Sequence, residues 1–467
     1  MTGRPNLLFI HTDQQRYDTL GCNGSAVART PNIDGLAAKG VRFERCITSN
    51  PVCMPARASW ATGQYPSHNG CWQNGAPLPE SADMIQTRLK AAGYHTGHVG
   101  KIHLDNIWQR QEPHPSYGFD VMHECEGDPY CMDEYFRWLD GQGLYAPYKE
   151  QFDREGHARG YTRDLPEEKH QNNWIAAHVE DYLDRRAEDG KPFFLSVGFF
   201  DPHHPFDPVE PYASMFSPEA MPDPIGGGDA ADAMTPPARD RVGKHGLSDA
   251  ELKGAIAAYH ATIAHVDAMV GRILERLDAA GLADRTVVVF TSDHGEMLGD
   301  HGVLWKGSLF YDGAIRVPLI YRLPEGMGPA GVVDTGFCSH VDLAPTLAAL
   351  AGIDPPRLAQ GRPLFDRDGR LRPVPAPDGA LCEWRDRPFD RPDDPFQTAR
   401  CLVTDAWKLV HYDGEPYGEL YNRAEDPEER VNLWDDPDHA AVKAELREEL
   451  LAFLIRNEPL PTRTDLF

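Results

Sequence analysis

Three sets of residues in this chain have the types and spacing to do chemistry together. In Cys53-Met54-Pro55-Ala56-Arg57, a thiol stands two residues ahead of a proline and one helical turn ahead of an arginine. Proline is favoured in the first turn of a helix, where N–H groups lack intrahelical partners, so Cys53 is predicted at a helix N-terminus. Unpaired N–H groups and the helix dipole favour negative charge there. Arg57 can face the same place, and a thiol so placed has a lowered pKa and is reactive. Asp13-Gln14 and Asp293-His294 each close an apolar run. Singly, such residues are ordinary turn or cap residues. Together they are oxygen and nitrogen donors at strand ends. Oxygen donors suit calcium, magnesium or manganese, and an imidazole favours manganese or another transition metal over calcium.

The third set is cationic. Lys101 and His103 lie in Gly100-Lys101-Ile102-His103-Leu104, His203 in Asp201-Pro202-His203-His204-Pro205-Phe206, and Lys306 in Leu304-Trp305-Lys306-Gly307. Singly, each reads as a surface lysine or an ordinary polar histidine; jointly, with Arg57, they could surround a transferring group whose negative charge is spread over several oxygens. Asn74, beside Gly75, reads equally as a contact to a substrate oxygen or as a turn residue. His204 reads as a rim or structural residue, and Asp300-His301 as supporting residues.

These residues need elements to hold them. Asn6 to Thr12 reads as a buried, parallel strand, and Tyr94–Val99, Pro192–Phe200, Arg285–Thr291 and Arg316–Tyr321 read as further strands. Helices are expected over Asn32–Lys39, Met84–Ala92, Asn173–Arg186, Asp249–Ala280 (long, with a possible break) and Val341–Ala351. Strands alternating with helices imply an α/β fold built on a large, mostly parallel sheet sandwiched by helices. Function in such folds gathers at the carboxyl ends of strands, where Asp13, His203 and Asp293 all fall. Pro208 to Ser248 is rich in Pro, Gly and Ala and reads either as a lid or interface arm or as a mobile surface loop. Asp354 to Pro395 reads as a linker to a smaller α+β domain with strands near Ala380–Trp384 and Trp407–His411 and a closing helix over Ala440–Arg456. The expected division is a catalytic domain over 1–365 and a smaller domain over 366–467.

Composition bounds the function. The chain has 467 residues and a formal net charge of −26, which disfavours nucleic acid and anionic membranes as partners. No apolar run is long enough to span a bilayer or to form a signal-peptide core. The expected location is cytoplasmic, or periplasmic had a leader been removed. The nine cysteines are odd in number and form no C-x-x-C pair, so neither a zinc knuckle nor a disulfide framework is expected.

Cys53-x-Pro55-x-Arg57 followed by Thr62-Gly63 resembles the signature of the sulfatases, formylglycine-dependent members of the alkaline phosphatase superfamily. The resemblance implies that a maturation enzyme oxidises Cys53 to formylglycine (3-oxoalanine), whose hydrate is the nucleophile. It implies one divalent metal, Ca2+ or Mn2+, held by Asp13, Gln14, Asp293, His294 and the matured Cys53. Lys101, His203 and Lys306, with Asn74, would bind substrate; Cys53, Arg57, Lys101, His103, His203 and Lys306 would be catalytic. Gln14 stands where most sulfatases carry Asp and His294 where many carry Asn, both as in the phosphonate monoester and phosphodiester hydrolase branch. Lys101 with His103 is the sulfatase form of its segment. The expected reaction is hydrolysis of a sulfate monoester, arylsulfatase-like, to alcohol and sulfate. The alternatives are a phosphonate monoester or phosphodiester hydrolase using the same site, and a sulfate-ester binding protein with Cys53 unmodified. Expected partners are a small sulfate or phosphonate ester, the maturation enzyme and further copies of this chain in a homodimer or homotetramer.

Overall fold

Apolar residues that alternate between two faces, on strands covered from both sides, organise the structure. The computed structural model describes residues 4–106, 115–226, 234–372, 376–386 and 397–458. Eight strands, β1 (Asn6–Thr12), β2 (Val41–Ile47), β3 (His95–Gly100), β4 (Val121–Glu124), β5 (Phe193–Gly198), β6 (Thr286–Ser292), β7 (Arg316–Arg322) and β8 (Val332–Ser339), form one sheet. Its order is β4-β3-β5-β1-β6-β7-β2-β8. The block from β4 to β6 is parallel, β7 is antiparallel to both neighbours, and β2 pairs with β8 in parallel. A second sheet of four antiparallel strands contains β9 (Gly379–Asp386), β10 (Gln397–Thr404), β11 (Trp407–Tyr412) and β12 (Gly418–Asn422).

The helices that matter here are α1 (Pro31–Ala38), α2 (Cys53–Thr62), α3 (Ile85–Ala91), α4 (Glu134–Gly141), α5 (Tyr145–Glu155), α6 (Gln171–Asp189), α7 (Asp249–Ala279), α8 (Leu343–Ala351) and α9 (Ala440–Arg456). On β1, Leu8 and Ile10 point into a core built with α6 and α7, while Leu7 and Phe9 point into one built with α2, α3 and α8. On β6, Val288 and Phe290 share the first core, and Val287 and Val289 the second. This is the two-residue period of a strand with helices on both faces. The second sheet joins the first through Ile47, Phe310 and Phe337, which pack with Ala380, Cys382 and Trp384.

Most expected elements stand within a residue or two of their predicted ends. The long helix α7 is unbroken over its 31 residues, and Ser248 and Glu251 close its first turn as a capping box. The stretch Asp354 to Pro395 is not wholly a linker, because β9 lies within it. Residues 373–375 and 387–396 of that stretch, and 227–233 of Pro208 to Ser248, lie outside the described residues. None of the nine cysteines forms a disulfide. Among the described residues, no helix is long and apolar enough to cross a membrane.

Candidate active site

The five parallel strands β4, β3, β5, β1 and β6 present their carboxyl ends along one edge of the sheet. β2, two places beyond β6 and reversed twice, ends on the same edge. Asp13 follows β1, Lys101 follows β3, His203 follows β5, Asp293 follows β6, and the loop after β2 leads into Cys53. Topology therefore gathers the predicted residues at one place.

Cys53 is the first residue of α2 and is 1% exposed. Its Sγ lies 3.2 Å from His294 Nε2 and 3.7 Å from Asp13 Oδ1. Burial and Asp13 push the thiol up, but Lys306, His294 and Lys101 outweigh them and leave it below its ordinary range. Arg57, one turn along α2 and fully buried, donates from Nε to Asp293 Oδ2 at 2.9 Å and from a terminal nitrogen to Asp13 Oδ2 at 3.1 Å. One guanidinium thus ties two carboxylates together, which its forked geometry suits. Lys101 Nζ reaches Asp13 Oδ2 at 2.8 Å. Gly100 sets this lysine's direction: its φ is +99°, and a Cβ there would fall 2.0 Å from the Gly198 carbonyl oxygen. Burial would raise the Asp13 pKa, yet Lys101, Lys306, His203 and Arg57 hold it well below the usual carboxylate range.

The outer oxygens of both aspartates are thereby engaged, and the inner ones face a common point. Asp13 Oδ1 and Asp293 Oδ1 stand 3.7 and 3.6 Å from His294 Nε2. His294 Nδ1 lies 2.9 Å from the Gly295 carbonyl oxygen, to which it can only donate. Nε2 therefore faces Asp13, Asp293 and Cys53; burial would lower the ring's pKa, but Asp293 and Cys53 raise it, and Nε2 would ligate a metal in its unprotonated form. Donor atoms of Asp13, Cys53, Asp293 and His294 all lie within 4.8 Å of one another, and all four residues are buried. Two carboxylates and an imidazole, fixed by partners on their far sides, suit a divalent cation. Gln14 stands beside this group at a φ of +68°. Its Oε1 accepts from Lys306 Nζ at 2.6 Å, and its Nε2 faces Glu296 and, at 3.2 Å, His204 Nδ1.

A cavity of about 570 Å³ opens over Cys53 and is lined by Lys101, His103, His203, His204, Lys306 and Asn74, among others. Burial and Lys101 lower the pKa of His103; burial, Lys306 and His204 lower that of His203. His203 Nδ1 donates to the His204 carbonyl oxygen at 2.6 Å, which leaves Nε2 available. Asn74 lines the cavity and also accepts the Met54 N–H at 3.1 Å, so it supports the start of α2. His204 stacks on His203 with ring centres 4.1 Å apart. Asp300 and His301 do structural work: Asp300 takes the Arg16 guanidinium at 2.7 Å, and His301 stacks on Tyr311 at 4.0 Å.

Four carboxylates near the site are not announced by the sequence. Glu296 is fully buried; it accepts the N–H groups of Leu298 and Trp305 and faces the Gln14 amide, thereby shaping the loop that carries Lys306. Its cue in the sequence is its place two residues after His294. Glu126 and Asp128 follow the short polar strand β4, which has no apolar pattern to announce it. Asp201, 1% exposed, accepts from Gln171 Nε2 and Asn172 Nδ2 and anchors the segment before His203. Burial and Asp207 raise its pKa to about 8. A carboxyl protonated in the fold and ionised when unfolded contributes stability at low pH that is lost as pH rises through the folded value. The stability gap between pH 5 and pH 8.5, measured by urea unfolding, is therefore expected to narrow in Asp201→Asn.

The family model "Sulfatase" matches residues 5–353, and a second, "N-sulphoglucosamine sulphohydrolase, C-terminal", matches residues 299–455. An uncharacterized sulfatase of Escherichia coli K12 is 33% identical over 97% of this chain and 87% of its own. A multifunctional alkaline phosphatase superfamily protein of Trinickia caryophylli is 30% identical over 96% of this chain and 95% of its own. Among solved structures, a phosphonate monoester hydrolase of Agrobacterium radiobacter superposes with a TM-score of 0.83 at 28% identity, over 97% of this chain and 96% of that one. With three quarters of its length under the first family model, the chain belongs to the sulfatase family of sulfuric ester hydrolases.

Proposed function

We propose that this enzyme hydrolyses a sulfate monoester to alcohol and sulfate at the Cys53 site. The observation that carries the reading is the convergence of Lys101, His103, His203 and Lys306 on the cavity above Cys53 in a strongly acidic protein. Buried lysines and histidine hydrogen-bonding groups around one point are what a tetrahedral oxyanion requires. Cys53, here the thiol, is the precursor of formylglycine, whose hydrate supplies one hydroxyl to attack sulfur and a second to expel sulfate. Asp13, Asp293, His294 and the matured residue, with Gln14 as a further oxygen donor, would hold a divalent cation, which would supply Lewis acidity.

The chain's own residues perform the remaining tasks. Arg57 pairs with both aspartates and holds them turned the same way. Lys101 and Lys306 neutralise the non-bridging oxygens of the ester. His203 gives the leaving oxygen a proton from Nε2; burial and Lys306 lower the pKa of this ring, and the negative charge of the bound sulfate ester offsets that of Lys306. His103 takes up the proton released as sulfate departs. His203→Ala is expected to reduce kcat for alkyl sulfates by roughly 10²- to 10⁴-fold, the usual worth of a general acid, and to cost much less with nitrophenyl sulfate. An equal loss on both substrates would remove that role from His203.

A phosphonate monoester or phosphodiester hydrolase is the second reading, favoured by Gln14, by His294 and by the fold likeness to such an enzyme. Catalytic efficiencies of the matured enzyme on 4-nitrophenyl sulfate, 4-nitrophenyl phenylphosphonate and bis(4-nitrophenyl) phosphate decide between them. The sulfate is expected to lead; a phosphonate preference of orders of magnitude would overturn the assignment.

A further inference from the structure

The cavity holds carboxylates as well as lysines. Besides Lys101 and Lys306 it is lined by Glu126 and Asp128 with Phe152, His157 and Phe200, and Lys101 Nζ lies 4.7 Å from the centre of the Phe200 ring. Glu126 is 1% exposed. Its Oε1 accepts the N–H groups of Ile102 and His103, each at 3.1 Å, so it holds the loop between Lys101 and His103 in place. Its Oε2 is buried with no hydrogen-bond partner among the described residues. A buried acceptor left unpaired is costly and therefore calls for a donor. Asp133, the N-cap of α4, accepts the Glu126 N–H at 2.7 Å and fixes this residue from behind.

Gly127 makes the arrangement possible. Its φ is +81°, and a Cβ there would fall 2.2 Å from the Phe200 ring. The chain can therefore wrap the ring closely, and Glu126 and Asp128, the two neighbours of Gly127 in sequence, both line the cavity. Asp128 is half-buried, accepts the Tyr130 N–H at 2.8 Å through Oδ1 and lines the same cavity. Phe152 and His157 meet edge to face at 4.9 Å, an apolar wall against which the carbon face of a ring can lie.

Resting on the sulfate-ester reading above, we propose that Glu126 and Asp128 form the subsite for the leaving alcohol and select a neutral or cationic alcohol rich in hydrogen-bond donors, such as a hexose or amino sugar. A carboxylate or second sulfate on that alcohol would face two protein carboxylates at low dielectric and is rejected. Donor hydroxyl or ammonium groups would instead satisfy Glu126 Oε2 and Asp128.

Steady-state kinetics of the matured full-length enzyme test this with four esters: 4-nitrophenyl sulfate, a neutral hexose 6-sulfate, an amino-hexose 6-sulfate and a hexuronic acid sulfate. The neutral and amino sugars are expected to exceed the uronic acid ester at least tenfold in kcat/KM. Asp128→Asn and Glu126→Gln are each expected to shrink that ratio several-fold. Asp128→Asn is the safer variant, because its carboxylate makes a single backbone contact and the amide oxygen can keep it. A uronic acid ester turned over as well as the neutral one, or ratios unmoved in both variants, would overturn the subsite while 4-nitrophenyl sulfate turnover left the sulfatase reading standing. Loss of 4-nitrophenyl sulfate turnover in fully matured enzyme would overturn that reading, and the proposal with it.

Discussion

Cys53→Ala is expected to lower kcat on 4-nitrophenyl sulfate by roughly 10⁴-fold or more, the scale at which a covalent nucleophile is lost and only binding and electrostatics remain. The reason lies in what the side chain touches. Sγ is within 4 Å of both His294 Nε2 and Asp13 Oδ1, so whatever atom stands there is at the centre of the site. Alanine removes that atom while the buried charges Asp13, Asp293 and Arg57 still neutralise one another. The variant should therefore fold, and its circular dichroism and unfolding midpoint should stay near those of the parent. Peptide mass spectrometry completes the test. Active enzyme is expected to carry an aldehyde at position 53, and activity in proportion to the aldehyde fraction would follow. A fully active enzyme with an intact thiol would overturn the formylglycine mechanism.

Lys408→Ala is expected to destabilise the protein by about 3–5 kcal/mol, the range for removing one partner of a buried ion pair. Lys408 lies on β11 of the second sheet and is fully buried. Its Nζ reaches Asp312 Oδ1 at 2.6 Å and the Phe310 carbonyl oxygen at 2.9 Å, and it also pairs with Glu429. Burial would discharge this lysine, but Asp312 and Glu429 hold its pKa above the ordinary value. Without it, two buried carboxyl groups lose their counter-charge. Denaturant unfolding of Lys408→Ala, Glu429→Gln and the double variant measures the coupling, and the double variant should cost less than the sum of the two singles. Because Phe310 and Asp312 continue the loop from Lys306, KM for the sulfate ester is expected to rise with Lys408→Ala as well. Additive losses would show that the pair does not act as a unit.

The elements visible in the chain were those with a one-sided or continuous apolar signal. β1 and β6 are fully buried along their length, and their apolar runs announced them. β2 was hidden because Arg42, Glu44 and Arg45 interrupt it, although Arg42 ends on Tyr17 Oη and Arg45 pairs with Asp405. β4 has four residues, two of them His123 and Glu124, and gives no apolar run at all. Glu126 went unread for the same reason: it is buried by Ile102 and His103 from another strand end, and nothing in its own neighbours foretells that.

Residue types and short spacings were enough to propose a reactive set, since a thiol at a helix start, paired donors after apolar strands and several lysines and histidines each suggest their chemistry locally. Local pattern also carried the α/β class, because a strand buried on both faces must be apolar along its run. What no local pattern holds is which residues meet. Cys53 and His294 are 241 positions apart, and Arg57 and Asp293 are 236. Their contact depends on the order β5-β1-β6-β7-β2, which is set by the packing of whole faces. The same packing turned Arg57 toward both aspartates, bound Gln14 to Lys306 and set Glu126 against the backbone of Ile102 and His103. Those decisions came from burial energies summed over distant segments.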